Sequence, residues 1–132
     1  MVWFHLQHQA DVSVAALPVP VQQASNFGII QADTDCRIKG FQEKPQHPDS
    51  MPAESDYAYA SMGNYLFNAQ VLFDALKRAH KCGETDFGRH VLPRLVKTHR
   101  LFAYDFSGNK VPGIKDYEEH AYWRDVGSLD AY

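Results

Sequence analysis

Arg37-Ile38-Lys39-Gly40-Phe41-Gln42-Glu43-Lys44-Pro45 opens on alternating polar and apolar residues and ends in an acid, a base and a proline. The alternation predicts a strand, and Pro45, which has no N–H to donate, stops its ladder. In α/β sheets ligands gather outside the carboxyl ends of strands. Glu43 and Lys44 therefore stand where a ligand would meet them. An ammonium is a point charge suited to a phosphate, and a carboxylate accepts from hydroxyls. An isolated Glu–Lys pair at the start of a loop is ordinarily solvated, so the neighbouring segments decide between the two readings.

Upstream, Phe27-Gly28-Ile29-Ile30-Gln31-Ala32-Asp33 reads as a second strand, and Asp33-Thr34-Asp35 as the turn that returns it along residues 37–43 as a hairpin. Gly28 either admits a ligand or neighbouring backbone, or simply relieves crowding. Asp11 to Leu17 alternates and then becomes apolar, as a buried strand does, and Pro18 and Pro20 are expected to end it. Residues 2–9 hold a short helical turn, and Gln22-Gln23-Ala24-Ser25 another. Downstream, three prolines make residues 45–56 an irregular, semi-rigid loop. Tyr57 to Phe67 is β-rich, with Ser61-Met62-Gly63 small enough for a ligand to touch the strand. A helix follows, with Asn68 as its N-cap, apolar positions at Val71, Leu72, Ala75, Leu76 and Ala79, and Gly83 as its stop. Pro93 marks either a helix start or a kink after a separate turn over residues 86–90. Leu101 to Phe106 is a further strand, residues 107–121 are turn-rich, and Ser128 to Tyr132 reads as a capped first helical turn.

With 132 residues, 45% of them hydrophobic, the chain can build one modest core. Its net charge of −3 argues against nucleic acid or an anionic membrane as the main partner. No apolar run approaches the ~20 residues of a transmembrane helix, and no signal peptide is evident. Cys36 and Cys82 make no disulfide framework, so a reducing cytoplasm is expected.

Asp86-Phe87-Gly88 spells the kinase magnesium motif, but the glycine-rich and H-R-D loops that accompany it in kinases are missing from the sequence. The seven histidines lack zinc-site spacing, His5 and His8 included. There is no P-loop, G-x-G-x-x-G or G-x-S-x-G. In Trp123-Arg124-Asp125-Val126-Gly127 an Asp stands between a large aromatic and a glycine, before a new helix. It reads either as a holder of Mg²⁺ on phosphates or as a helix-entry Asp.

Phe27-Gly28, Glu43-Lys44-Pro45, Ser61-Met62-Gly63-Asn64-Tyr65, Asp86-Phe87-Gly88 and Trp123-Arg124-Asp125-Val126-Gly127 occur here in an order that resembles the bacterial-type glucose-1-phosphate adenylyltransferases. The likeness runs from about Ala10 to Tyr132, and Ala16 to Pro20, Ser50-Met51-Pro52 and Gly127 to Tyr132 add to it. It implies an α/β fold: a mixed, largely parallel sheet with flanking helices, within a Rossmann-like nucleotide-diphospho-sugar transferase domain. It implies ATP and glucose 1-phosphate as substrates, ADP-glucose and pyrophosphate as products, and Mg²⁺ as cofactor. By motif, Lys44 would bind the sugar phosphate and Glu43 the sugar hydroxyls. Gly28, Ser61 and Tyr65 would line the glucose pocket. Asp125 would hold Mg²⁺, with Trp123 packed beside it; Asp86 and Arg124 match motifs without an assigned role. Transfer of another nucleotide (thymidylyl, uridylyl or guanylyl) and a non-catalytic regulatory subunit are the alternatives. The family's glycine-rich ATP loop, its second magnesium carboxylate and its carboxyl-terminal β-helix have no counterpart among residues 1–132. The expectation is therefore a sugar-phosphate-binding half of a catalytic domain, inactive alone, from a protein that is homo-tetrameric when complete.

Overall fold

A computed structural model describes residues 1–109, 113, 115, 122 and 123. The chain runs through α1 (Val2–Gln7), β1 (Val12–Pro20), a 3-10 segment (Val21–Asn26), β2 (Gly28–Ala32), β3 (Ile38–Glu43) and β4 (Tyr57–Phe67). It continues through α2 (Ala69–Cys82), a π-type turn (Phe87–Val91), α3 (Leu92–Val96), β5 (Leu101–Asp105) and a last 3-10 turn (Phe106–Gly108). The strands form one sheet in the order β3-β2-β4-β1-β5.

The apolar run that opens β1 is buried from Val12 to Ala16 because both its edges are paired there. β4 runs antiparallel on one side and β5 parallel on the other. β2 and β3 form the expected hairpin, with Gly28 opposite Glu43, and β2 joins β4 antiparallel. Sheet and helices match the α/β expectation, with one correction. Among the described strands only β1 and β5 are parallel, so the sheet is mixed but largely antiparallel. Tight turns such as the β2–β3 link force antiparallel neighbours, whereas a parallel pair needs a long crossover, and the parallel partners β1 and β5 are joined through every element from the 3-10 segment to α3. A second correction concerns Pro18 and Pro20, which continue β1 and oppose Tyr59 and Tyr57. β5 stops pairing at Ala16, and among the described residues no strand pairs with that edge of β1 beyond it, so a residue without an N–H is tolerated there.

Alternation decides which face each strand residue covers. Val12, Val14, Ala16, Ile30, Ile38, Leu101 and Ala103 share one core with Ala75 and Ala79 of α2 and with Val91, Leu92 and Leu95. Ile29, Ala58 and Ala60 meet Ala24 of the 3-10 segment in a second cluster. Full burial of a Leu or Ile side chain is worth about 1.5–3 kcal/mol, so Leu92, Leu101 and Ile38 are leading contributors. α1 lies against β5 through Phe4, which meets the rings of Tyr104 at 5.4 Å and Phe102 at 6.5 Å. Val2, Trp3 and Leu6 of the same helix remain exposed.

Asn68 precedes α2 as expected, but its side chain makes no cap bond and turns back to the start of the chain. Its Nδ2 donates to the Ala10 carbonyl at 3.2 Å, which leaves Oδ1 to accept from Nε2 of His5 at 3.3 Å. The His5 Nδ1 is hydrogen-bonded to the buried Ser13 hydroxyl, 2.9 Å away. His5 is thus a satisfied core histidine, and His8 bonds the Phe4 carbonyl instead of pairing with it around a metal. Gly83 ends α2 in the left-handed conformation, at φ +67°.

Tyr59 donates its hydroxyl to Asp105 at 3.4 Å. Burial first, then the Asp105 charge, push the phenol pKa up to about 12. An acid whose folded pKa is raised stabilises the fold fully below its unfolded pKa, near 10, and that contribution is lost as pH rises towards the folded value. Stability is therefore expected to fall between about pH 10 and about pH 12, and Tyr59→Phe to flatten that slope. Urea midpoints measured across this range check it; equal slopes for the two proteins would refute the assignment to Tyr59.

Candidate functional site

The site begins with an irregularity in β4. Val14 of β1 faces Tyr65 and Ala16 faces Ser61, so four steps along β4 oppose two along β1. The extra residues bulge out around Gly63, whose φ of +73° suits glycine and few others. An extended strand would separate residues four apart by about 13 Å; the bulge cuts this to roughly half. Ser61 and Tyr65 thus reach one cavity.

That cavity, about 160 Å³, is lined by Gly28, Phe41, Glu43, Ser61, Gly63, Tyr65, Asp86 and Gly88. Glu43 enters from the end of β3 and Gly28 from the start of β2, as cross-strand partners. Asp86 caps the π-type turn, its Oδ1 accepting from the Arg89 N–H at 2.8 Å. Phe87, the first residue of that turn, stacks on Tyr65 with ring centroids 5.8 Å apart and planes 14° from parallel, and Phe67 packs edge-on against both. Burial raises the Tyr65 pKa, with the Asp86 and Glu43 charges adding to it and the Ser61 hydroxyl opposing it. Tyr65 therefore enters neutral chemistry as a hydroxyl, able to donate and accept.

A second hollow of about 230 Å³ adjoins the first, sharing Gly28, Ser61 and Gly63 with it and adding Asn26, Phe27, Lys44, Met62 and Trp123. Trp123 lies against Phe27, ring centroids 5.8 Å apart. Lys44 has φ +46°, a left-handed conformation that costs a non-glycine residue about 1 kcal/mol or more. Its N–H donates to the Phe27 carbonyl at 3.1 Å, which ties the turn to the start of β2. No ion pair engages Lys44 among the described residues.

Gly28, Glu43, Ser61 and Tyr65 therefore share one cavity, with Lys44 and Trp123 beside it. Asp125 and Arg124 lie outside the described residues, so the meeting of Lys44 with Asp125 does too. Among the described residues no group of three His, Cys, Asp or Glu side chains could hold a metal ion. Sequence reasoning missed Phe41 and Gly88 as lining residues and left Asp86 without a role; glycine beside an acid in a motif was the available signal. Chemically, two carboxylates and two hydroxyls suit a polyol, aromatic rings suit its apolar face, and an ammonium alongside suits an anion.

Fold and site define an α/β domain in which the end of β3, the start of β2 and the β4 bulge bring polar groups to one cavity. The chain belongs to the nucleotidyl transferase family, whose profile matches residues 1–132. It is 56% identical over its whole length to a glucose-1-phosphate adenylyltransferase of Thermodesulfovibrio yellowstonii, covering 32% of that protein. It is similarly 47% identical to the one of Thermus caldophilus and 45% identical to glucose-1-phosphate adenylyltransferase 1 of Vibrio parahaemolyticus, again covering 32% of each. The chain thus spans about a third of the length of the curated relatives it matches. No helix among the described residues is long and apolar enough to cross a membrane.

Proposed function

We propose that this chain is the sugar-phosphate-binding part of a glucose-1-phosphate adenylyltransferase, which forms ADP-glucose and pyrophosphate from ATP and glucose 1-phosphate. The observation that carries the reading is the carboxylate-lined cavity with Lys44 bordering the hollow beside it; the names of the relatives favour adenylyl over other nucleotides. Glu43 accepts from sugar hydroxyls, Ser61 and Tyr65 bond the ring, Gly28 lets it approach the strand, and Lys44 holds the phosphate. The phosphate oxygen attacks the α-phosphorus of ATP in line, so no covalent enzyme intermediate is needed, and positioning plus charge neutralisation supply the rate. Asp125 would hold Mg²⁺ through a hard carboxylate oxygen, as one of two carboxylates, the second having no counterpart among residues 1–132. Mg²⁺, when bound, would neutralise charge on the transferring phosphate, and Trp123 borders the same hollow as Lys44. The complete protein is read as a cytoplasmic homo-tetramer.

The complete protein carrying this segment should release pyrophosphate from glucose 1-phosphate with ATP far faster than with UTP, GTP or dTTP. Asp125→Asn should lower kcat by about 100-fold or more, given what a charge-stabilising group contributes to a transition state. Equal use of the four nucleotides would contradict the adenylyl reading, and an unchanged kcat would remove Asp125 from the metal.

A further inference from the structure

The Glu43 carboxylate occupies a slot between two glycines from different elements. A methyl group at Gly28 would lie 3.1 Å from its Oε2, and a methyl group at Gly88 would lie 3.1 Å from the same oxygen and 3.5 Å from Asp86 Oδ1. Gly28 is the cross-strand partner of Glu43, whereas Gly88 belongs to the π-type turn packed over the end of β3. Neither glycine has a left-handed φ. Its backbone conformation does not call for glycine; the closeness of the carboxylate does. Both contacts are tighter than the 3.5–4.0 Å at which such atoms ordinarily rest. Glu43 is exposed at the end of β3, so the two glycines crowd its carboxylate from the protein side while its other side stays open to a ligand.

We propose that Gly88 is a positioning residue: together with Gly28 it leaves the space that fixes the Glu43 carboxylate in its ligand-binding orientation. Gly88 itself offers no side chain to a ligand. It acts by omission, and through Glu43. The consequence for binding rests on the sugar-phosphate reading of the cavity; the geometric claim stands apart from it.

The test uses Gly88→Ala, Glu43→Ala and the double variant in the full chain, with glucose 1-phosphate as the probe in calorimetry and crystal structures of the wild type and Gly88→Ala. Gly88→Ala is expected to swing the Glu43 carboxylate out of the slot and to weaken glucose 1-phosphate binding by about tenfold, since small displacements of a positioned group have effects of this order. In the Glu43→Ala background the same substitution should change affinity by less than about twofold, because the oxygen it displaces is gone. A Glu43 carboxylate that stays in place in the Gly88→Ala crystal overturns the proposal, as do additive losses in the double variant. Should Gly88→Ala fail to fold, Glu43→Ala/Gly88→Ala must restore folding; a double variant that stays unfolded overturns it too. A folded wild type that binds no glucose 1-phosphate contradicts the proposed function instead, and the crystal structures still decide the slot.

Discussion

Lys44→Ala in the complete protein is expected to raise the KM for glucose 1-phosphate by about 10- to 100-fold while moving the KM for ATP by less than about threefold. The first figure follows from a charge-assisted hydrogen bond, worth about 1.5–3 kcal/mol, at about 1.4 kcal/mol per factor of ten. The asymmetry follows from place: Lys44 borders the hollow next to the carboxylate cavity, and its proposed contact is with the sugar phosphate alone. Its conformation sharpens the prediction. Lys44→Gly removes the same ammonium but relieves the φ of +46°, so it should match the alanine variant kinetically and melt higher. Steady-state kinetics with each substrate varied in turn, and thermal melts of both variants, check the pair of claims. An unchanged KM for glucose 1-phosphate would take Lys44 out of the role.

The 132-residue chain by itself is expected to make no measurable ADP-glucose. The groups proposed above bind one substrate; nothing comparable to the family's glycine-rich ATP loop occurs in this sequence, and the chain spans about a third of its relatives. Holding two reactants in line is worth as much as ~7–11 kcal/mol of barrier, and a chain that holds one of them forgoes it. A coupled assay for pyrophosphate with the purified chain, ATP, glucose 1-phosphate and Mg²⁺ reads this directly. Sustained turnover above the protein-free blank would overturn the division of labour between two parts of a domain.

Much of this architecture was legible residue by residue. Tyr57–Phe67 reads as a strand from its composition and is one over that whole span; the β2–β3 hairpin follows from alternation on both sides of Asp33-Thr34-Asp35. Local chemistry suffices there because both periodicity and turn residues are near neighbours in sequence. Sheet order is less local. Whether β1 ends at Pro18 depends on whether β5 still covers that edge, more than eighty residues further on, and the same distant pairing decides how much of the sheet is parallel. The site divides the same way. Glu43 and Lys44 stand out at a strand end, but their meeting with Ser61 and Tyr65 depends on a bulge that no alternation pattern announces. Gly88 stood in the Asp86-Phe87-Gly88 motif, but its role was not legible for a related reason: that role lies in the side chain Gly88 lacks, opposite a carboxylate forty-five positions away.

The central claim is that the cavity between the end of β3, the β4 bulge and the π-type turn receives the sugar phosphate. Titration of the isotope-labelled chain with glucose 1-phosphate, followed by NMR, tests it most directly. The backbone amides of Gly28, Gly63 and Gly88 are predicted to shift in a saturable manner, with Gly108 unmoved and the response moved to higher sugar-phosphate concentrations in Glu43→Ala. A well-folded spectrum in which those three amides stay still at saturating sugar phosphate would contradict the account.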